Sequence, residues 1–115
     1  MRFLVTGEYI DAGPAVAPEQ AIGAVEMLVV PSFQMLAGLE QQGKVKGGVF
    51  PGERSGALIV DVDSFEELDS LMNHLPFFGV VKWDVKPLMP YASIAQQLPE
   101  YLRDARQMMQ SGPPS

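Results

Sequence analysis

The sequence contains no cysteine, which excludes disulfide bonds and thiolate chemistry and is compatible with a cytoplasmic protein. It has one histidine, and a single histidine without cysteine cannot form a recognisable transition-metal site, so we expect no bound metal. Gly47 and Gly48 alone do not make a phosphate-binding loop. The longest apolar run, Met27 to Val30, is far too short to cross a bilayer, so we expect no membrane partner.

Positive charge is also scarce. Eight basic residues stand against 14 acidic ones, which gives a net charge of −6, and the basic residues are scattered along the chain. Nucleic-acid binding needs a concentrated basic face, so this class of function is excluded.

Apolar residues, in contrast, are abundant. They make up 47% of the 115 residues and include seven methionines. This length allows one domain, which we place at residues 1–110, followed by a disordered tail at 111–115. The apolar excess predicts surface that a partner subunit or a small ligand covers.

One stretch in the second half of the chain predicts a helix that lies on a sheet. Ser64 offers an N-cap, and Glu66 and Glu67 place negative charge in the first turn. Pro76 ends the helix. From Val80 the apolar period changes to two, as in a strand. Apolar residues recur through the helix at three- and four-residue spacing: Phe65, Leu68, Leu71, Met72 and Leu75.

The whole chain predicts the order β-α-β-β-α-β with an extra C-terminal helix. The predicted strands are 2–10, 44–51, 57–63 and 80–86, the hairpin turn is 52–56, the loop is 11–17, and the helices are 18–42, 64–75 and 93–110. We expect Pro31 to kink the first helix, Gly43 to end it and Pro99 to break the last one. Two crossovers around an antiparallel sheet give a ferredoxin-like α+β fold with both helices on one face.

The first helix has two apolar faces. We predict that one faces the core, through Ile22, Val25, Val29, Phe33 (or Ser32), Leu36 and Leu39. The other carries Met27, Leu28, Val30 and Met35, and is either a wide edge of the core or an oligomer contact or pocket wall. The sheet face away from the helices carries Leu4, Ile10 and Ile59. These residues are too apolar to remain exposed to water, so we expect another surface to cover them.

The segment SFEELDSLMNHLPFF, with Trp83-Asp84-Val85 and Leu88 after it, resembles the C-terminal half of muconolactone isomerases. Val60-Asp61-Val62 and the helix exit LEQQGKV extend the resemblance. It implies a dimeric α+β barrel, a homo-oligomer that is a dimer or a larger ring, and a small-molecule substrate. It also implies cofactor-independent proton transfer between carbons of a cyclic or lactone-like compound.

The first helix departs from that family, where it is richly charged, since its middle here reads MLVVPSFQML. The resemblance therefore predicts the fold of this chain but does not identify its substrate. A non-catalytic ligand-binding or assembly protein is an alternative, and a cofactorless oxygenase or cyclase is another that the same scaffold can host.

Proton transfer needs a positioned acid or base, and the sequence offers few. The catalytic candidates are His74, Glu8 and Asp84, with Lys82 as a substrate-binding partner. His74 exchanges protons readily near neutral pH, but it could equally be a solvated residue at a helix end. The other three lie on the far sheet face, where they could be acid–base partners or a cross-strand ion pair.

Four aromatic residues meet near the predicted helix–strand corner: Tyr9, Phe77, Phe78 and Trp83. They could line a pocket for a flat ligand and bind substrate there. Aromatic residues at such a corner could equally be core, and the sequence leaves both readings open.

Overall fold

The computed structural model describes residues 1–10 and 17–110, so the predicted tail at 111–115 and nearly all of the predicted loop at 11–17 lie outside the described residues. The elements are β1 (Arg2–Tyr9), α1 (Pro18–Ala24), a π-helical turn (Val25–Val29), α2 (Val30–Gln41), β2 (Val45–Val49), β3 (Ser55–Asp61), α3 (Phe65–Asn73), a 3₁₀ turn (Phe78–Val80), β4 (Val81–Leu88) and α4 (Tyr91–Gln110).

The four described strands form one sheet in the order β2-β3-β1-β4. Each neighbouring pair is antiparallel, with Val5 opposite both Leu58 and Val85. This is the predicted ferredoxin-like topology, with β1 central and α4 added after the last strand. Phe3 and Val5 are buried on the helix-covered face, where the core sits.

Helix α3 closes one half of that face. The Ser64 hydroxyl accepts the Glu67 N–H at 3.1 Å, which confirms the predicted N-cap, and the Glu67 carboxylate accepts the Asp63 N–H at 2.8 Å. Leu68, Met72 and Leu75 are buried against the sheet. Phe65, predicted in the same stripe, is instead 65% exposed in the first turn of α3, with its ring 5.5 Å from the ring of Phe3.

The first helix bends instead of breaking. A π-helical turn, Val25–Val29, leads into α2 immediately before Pro31. A wider turn absorbs the missing N–H and the bulk of the proline ring. At the C-terminus Gly43 has φ +76°, and Lys44 N–H donates to the Leu39 carbonyl at 2.9 Å. This is the Schellman end that the glycine predicted.

The predicted core face of this helix is wrong in its N-terminal half. Ile22 is 59% and Val25 48% exposed, and Ser32 is fully buried in place of Phe33. The helix stands off the sheet over this region, so its apolar stripe borders open space.

The continuous segment Pro18–Gln41 is long and apolar enough to cross a membrane, and only 6% of its most apolar window is buried. That test considers length and composition only, and the core helix of a soluble protein also passes it. The uninterrupted run Met27 to Val30 gave too low an estimate of the apolar length of this helix. The mean hydropathy of an 18-residue window stays high although small and polar residues interrupt the apolar ones.

Strand β2 (Val45–Val49) ends earlier than predicted and β3 (Ser55–Asp61) begins earlier, so the turn occupies residues 50–54. Phe50 N–H donates to the Ser55 carbonyl at 2.9 Å, and Gly52 adopts φ +77°. The Gly-Gly pair of β2 allows a close approach of the two strand backbones. Gly47 has φ +147°, and a Cβ there would lie 2.1 Å from the Ala57 carbonyl oxygen.

Helix α4 is longer and more regular than predicted, since it starts at Tyr91 and runs through Pro99 without a break. The exposed surface lets water satisfy the carbonyl that the proline leaves without a donor. None of its residues is buried. The radius of gyration is 21.0 Å, against about 13 Å for a compact chain of this length, because α4 projects from the domain.

Candidate functional site

A cavity of about 1070 Å³ lies between the first helix and the β2–β3 side of the sheet. Its helix wall comes from α1, the π-helical turn and α2, and its sheet wall from β1, β2, β3 and β4. The main apolar lining residues are Val25, Val29, Phe33, Leu36, Leu58 and Val81. The stripe that was predicted as core therefore faces this space.

A chain of aromatic contacts crosses one end of the cavity. The Phe77 ring lies 5.6 Å from the Phe33 ring and 5.8 Å from the Trp83 ring, both near edge-to-face. Phe78 stacks on Trp83 at 6.2 Å with 21° between the planes, and its carbonyl accepts the Trp83 indole N–H at 3.0 Å. These contacts and the hydrogen bond fix the orientation of the indole at the cavity wall.

The sheet wall has a stretch without side chains. Val49 pairs with Gly56, Gly56 with Gly7, and Gly7 with Trp83, so this row across the sheet carries two successive glycines. The indole lies over Gly7, since a Cβ there would meet Trp83 Cζ3 at 2.9 Å. A Cβ at Gly56 would meet the Gly48 carbonyl oxygen at 2.8 Å, so strand packing itself requires glycine there. The result is a flat floor beside the indole.

One buried hydroxyl joins the first helix to the aromatic corner. Ser32 is fully buried, donates to the Leu28 carbonyl at 2.7 Å and accepts the Phe77 N–H at 3.0 Å. Because Phe77 follows Pro76 outside a regular helix, its N–H has no helical acceptor. Ser32 satisfies that N–H and sets the distance between α2 and Phe77.

Charged side chains lie only at the mouth of the cavity. The lining includes Glu40, Glu53 and Arg54, all exposed, and Lys46, whose partner in β3 is Ile59 on the opposite sheet face. Ser55 Oγ donates to Glu53 Oε2 at 2.9 Å. Tyr9 is among the lining residues, and within the described residues its hydroxyl forms no hydrogen bond.

The structure brings three of the predicted substrate-binding residues together. Tyr9, Phe77 and Trp83 all line the cavity, while Phe78 contacts it only through its stacking on Trp83. Phe77 is both core and wall, since it is only 7% exposed yet borders the open space. Phe77 therefore belongs both to the core and to the cavity wall, and the substrate-binding role of these aromatic residues stays a prediction.

The predicted acid–base residues lie elsewhere. His74 is the exposed C-cap of α3, its Nδ1 2.5 Å from the Ser70 carbonyl oxygen, and it does not line the cavity. Glu8 and Asp84 are exposed on the opposite sheet face, with Lys82 directly across from Glu8.

That opposite face carries ion pairs at its edge. Arg2 Nε donates to Asp61 Oδ1 at 2.9 Å, which lowers the pKa of the carboxyl and raises that of the guanidinium through the hydrogen bond first and the opposite charge next. Lys86 lies 3.6 Å from Asp84. Leu4 and Ile59 pair between these groups on the same face.

Several cavity residues escaped the sequence reasoning. Phe33 and Leu36 were assigned to the core, Gly56 to a turn, and Glu40 to no role. The alternation of apolar residues could not separate a core face from a cavity wall, because both are apolar. The pairing of Gly7 with Gly56 requires the strand register, which the sequence alone did not supply.

Within the described ranges 1–10 and 17–110, no three His, Cys, Asp or Glu side chains come close enough to bind a metal ion together. The lining is apolar with a charged mouth, so the arrangement suits an organic ligand held by contact with aromatic surface.

Comparison with known proteins fits this architecture. Residues 1–94 match the family of muconolactone delta-isomerase, while a search of curated protein sequences finds no match. A crystal structure of muconolactone isomerase is similar in fold, with a TM-score of 0.60 and 23% identity over 78% of this chain and 90% of that one. The 5-chloro-2-hydroxyhydroquinone dehydrochlorinase of Burkholderia phenoliruptrix AC1100, in complex with 2,5-dihydroxybenzoquinone, has a TM-score of 0.52 and 21% identity over 77% of this chain and 94% of that one. With its β-α-β-β-α-β core matched from the first residue through β4, this chain belongs to the muconolactone delta-isomerase family.

Proposed function

We propose that this protein is an isomerase that moves a proton between two carbons of a small cyclic or lactone-like metabolite, without a metal or an organic cofactor. The observation that carries the proposal is the aromatic-lined cavity with carboxylates at its mouth, in a chain of the muconolactone delta-isomerase family.

The chemistry needs only a base and a suitable environment. A base takes the proton from one end of the three-carbon unit next to the lactone carbonyl, either the α- or the γ-carbon, and the electron pair of the broken C–H bond moves onto the carbonyl oxygen as a dienolate. The same base returns the proton to the far carbon of the conjugated system, so no redox partner is required. The apolar lining strengthens any hydrogen bond that the enolate oxygen receives.

Glu40 is the base that the cavity geometry favours. It projects from α2 at the mouth, whereas the Glu53 carboxylate already accepts a hydrogen bond from Ser55. His74, Glu8 and Asp84 stay predictions. Each lies outside the cavity of its own chain, so each could act only in the cavity of a neighbouring copy.

Hydrogen–deuterium exchange and double-bond migration in muconolactone and in α-angelica lactone, followed by NMR, test this function. We expect Glu40→Gln to lower kcat/KM by about 10²–10⁴-fold, the scale of a positioned acid–base group, and His74→Gln to leave it unchanged. Full activity of Glu40→Gln would instead assign the base to His74, Glu8 or Asp84. No turnover of either lactone by the wild type would contradict the isomerase.

A non-catalytic ligand-binding protein is the second candidate. It is favoured by the lining inside the mouth, where the only titratable side chain among the described residues is Tyr9. Binding of ring compounds without any proton exchange would support this candidate over the isomerase.

We also propose that the protein is a homo-oligomer in the cytoplasm, with neither a nucleic-acid nor a membrane partner. The apolar pair Leu4 and Ile59 and the unpacked helix α4 support self-association, since most helical stability in proteins comes from packing an apolar face against another element. Sedimentation at micromolar concentration should show a dimer or larger ring, and a stable monomer would contradict it. Fractionation that finds the protein in membranes would contradict the location.

A further inference from the structure

We propose that the cavity binds an uncharged, planar, fused-ring compound with a carbonyl group, whose oxygen accepts a hydrogen bond from Tyr9. This inference concerns the site of the proposed function and names the class of ligand it takes.

Charge and polarity argue for a neutral ligand. The charged side chains at the mouth are Glu40, Glu53 and Arg54, all exposed, while the surfaces deeper in are apolar or aromatic. An anionic ligand seated on those surfaces would lose its hydration without a cation to compensate. A neutral ring compound loses little hydration and gains contact area.

Shape argues for a flat ligand of more than one ring. Gly56 leaves the floor without a side chain, and the Trp83 indole covers the neighbouring Gly7 with its N–H already bonded to the Phe78 carbonyl. A planar molecule can therefore lie against the bare backbone with one edge toward the indole. The volume of about 1070 Å³ is at the upper end of ordinary ligand sites and exceeds what a single five-membered lactone ring fills.

Tyr9 supplies the polar contact. Its backbone at the end of β1 is fixed by neighbours on both sides. The Tyr9 N–H donates to the Arg54 carbonyl at 2.8 Å, and the residue pairs with Val81 in β4. Tyr9 lines the cavity, and its hydroxyl makes no hydrogen bond within the described residues. A ligand carbonyl at this place would accept that hydroxyl proton, which would also stabilise an enolate formed from the ligand.

Trp83 is the only tryptophan, so its indole N–H gives one resolved NMR signal at the cavity wall. Titration of the full chain with 2-acetonaphthone, 2-naphthoate and naphthalene compares a neutral ketone, an anion and a bare ring of the same size. We expect the ketone to shift that signal with the highest affinity and the anion to bind at least about tenfold more weakly. Equal or tighter binding of 2-naphthoate would overturn the inference.

Two variants, Ala37→Phe and Tyr9→Phe, test where the ligand binds, and Met35→Phe is the control. Ala37→Phe adds a ring from α2 into the cavity and should weaken ketone binding by about tenfold or more, while Met35→Phe on the outward side of the same helix should not change it. Tyr9→Phe should weaken the ketone by about 2- to 10-fold, the fold-change of one neutral hydrogen bond, and leave naphthalene unchanged. An unchanged ketone affinity in either Ala37→Phe or Tyr9→Phe would overturn the assignment.

The outcomes separate this inference from the proposed function. Ketone binding in the wild type without lactone turnover keeps the ligand class and removes the isomerase. Lactone turnover without ketone binding keeps the isomerase and removes the ligand class. If Ala37→Phe changes the sedimenting species and no probe binds, a second copy occupies the cavity and the ligand inference fails.

Discussion

Two helical regions cover the same face of one sheet, and they do so differently. Helix α3 seals its half, with Leu68 and Met72 buried and its N-terminus capped. The first helix spans the other half as a roof, with Val25 and Phe33 largely exposed at the border of the cavity. The difference shows that one half of the fold supplies stability and leaves the other free to form a binding space. The two halves meet at Phe77.

Replacing Phe77 should have the largest effect on stability. Phe77→Ala should cost about 3–5 kcal/mol in the free energy of unfolding, because it empties a buried position and removes two aromatic contacts. Urea unfolding measures it. Phe65→Ala, which removes the same side chain from a largely exposed position of α3, should cost far less. Similar losses of stability in both variants would contradict this prediction and would mean that Phe77 is no more buried in solution than Phe65.

A matched pair of leucines compares the two helices directly. Leu68→Ala in α3 should cost about 2–5 kcal/mol, since its side chain is buried in a closed core. Leu36→Ala in α2 should cost about 1 kcal/mol, because its side chain borders the open cavity and is only partly removed from water. Equal unfolding free energies for the two variants would mean that the cavity is closed in solution.

The link between the halves depends on Ser32. Ser32→Ala should cost about 1–3 kcal/mol, because the buried Phe77 N–H then has no acceptor. Ser70→Ala, on the exposed face of α3, is the matched control and should cost little. Chemical unfolding of both variants measures the difference, and a Ser32→Ala protein as stable as the control would show that another group or water accepts the Phe77 N–H.

The smallest effect is expected far from both halves, at the exposed pair of Arg2 and Asp61. The pKa of Asp61 lies below its ordinary value of 3.8 because it accepts a hydrogen bond from Arg2 and faces its charge. A carboxyl with a lowered pKa in the folded state stabilises it above the unfolded pKa, and that stabilisation is lost as the pH falls through the folded value. Thermal unfolding of wild type and Asp61→Asn below pH 3.8 should therefore converge. A constant difference at all pH values would mean that charge is not involved.

Local signals in the sequence determined much of the architecture. Ser64 and Glu67 predicted the start of α3, Gly43 the end of α2, and the alternation after Val80 the last strand, because capping and strand periodicity depend on neighbouring residues. The ferredoxin-like order followed from the sequence of elements. Tyr9, Phe77 and Trp83 were correctly expected at one corner.

Only the tertiary structure decided that the first helix stands away from the sheet. An apolar stripe reads the same whether it meets a core or an open cavity, because hydrophobic periodicity reports which residues share a face and not the distance to the next layer. The glycine floor likewise depends on the register that pairs Gly7 with Gly56, which brings together residues far apart in the chain. Charge placement is also non-local: Glu40 reaches the cavity mouth because of where α2 lies over the sheet, a relation that sequence spacing does not contain.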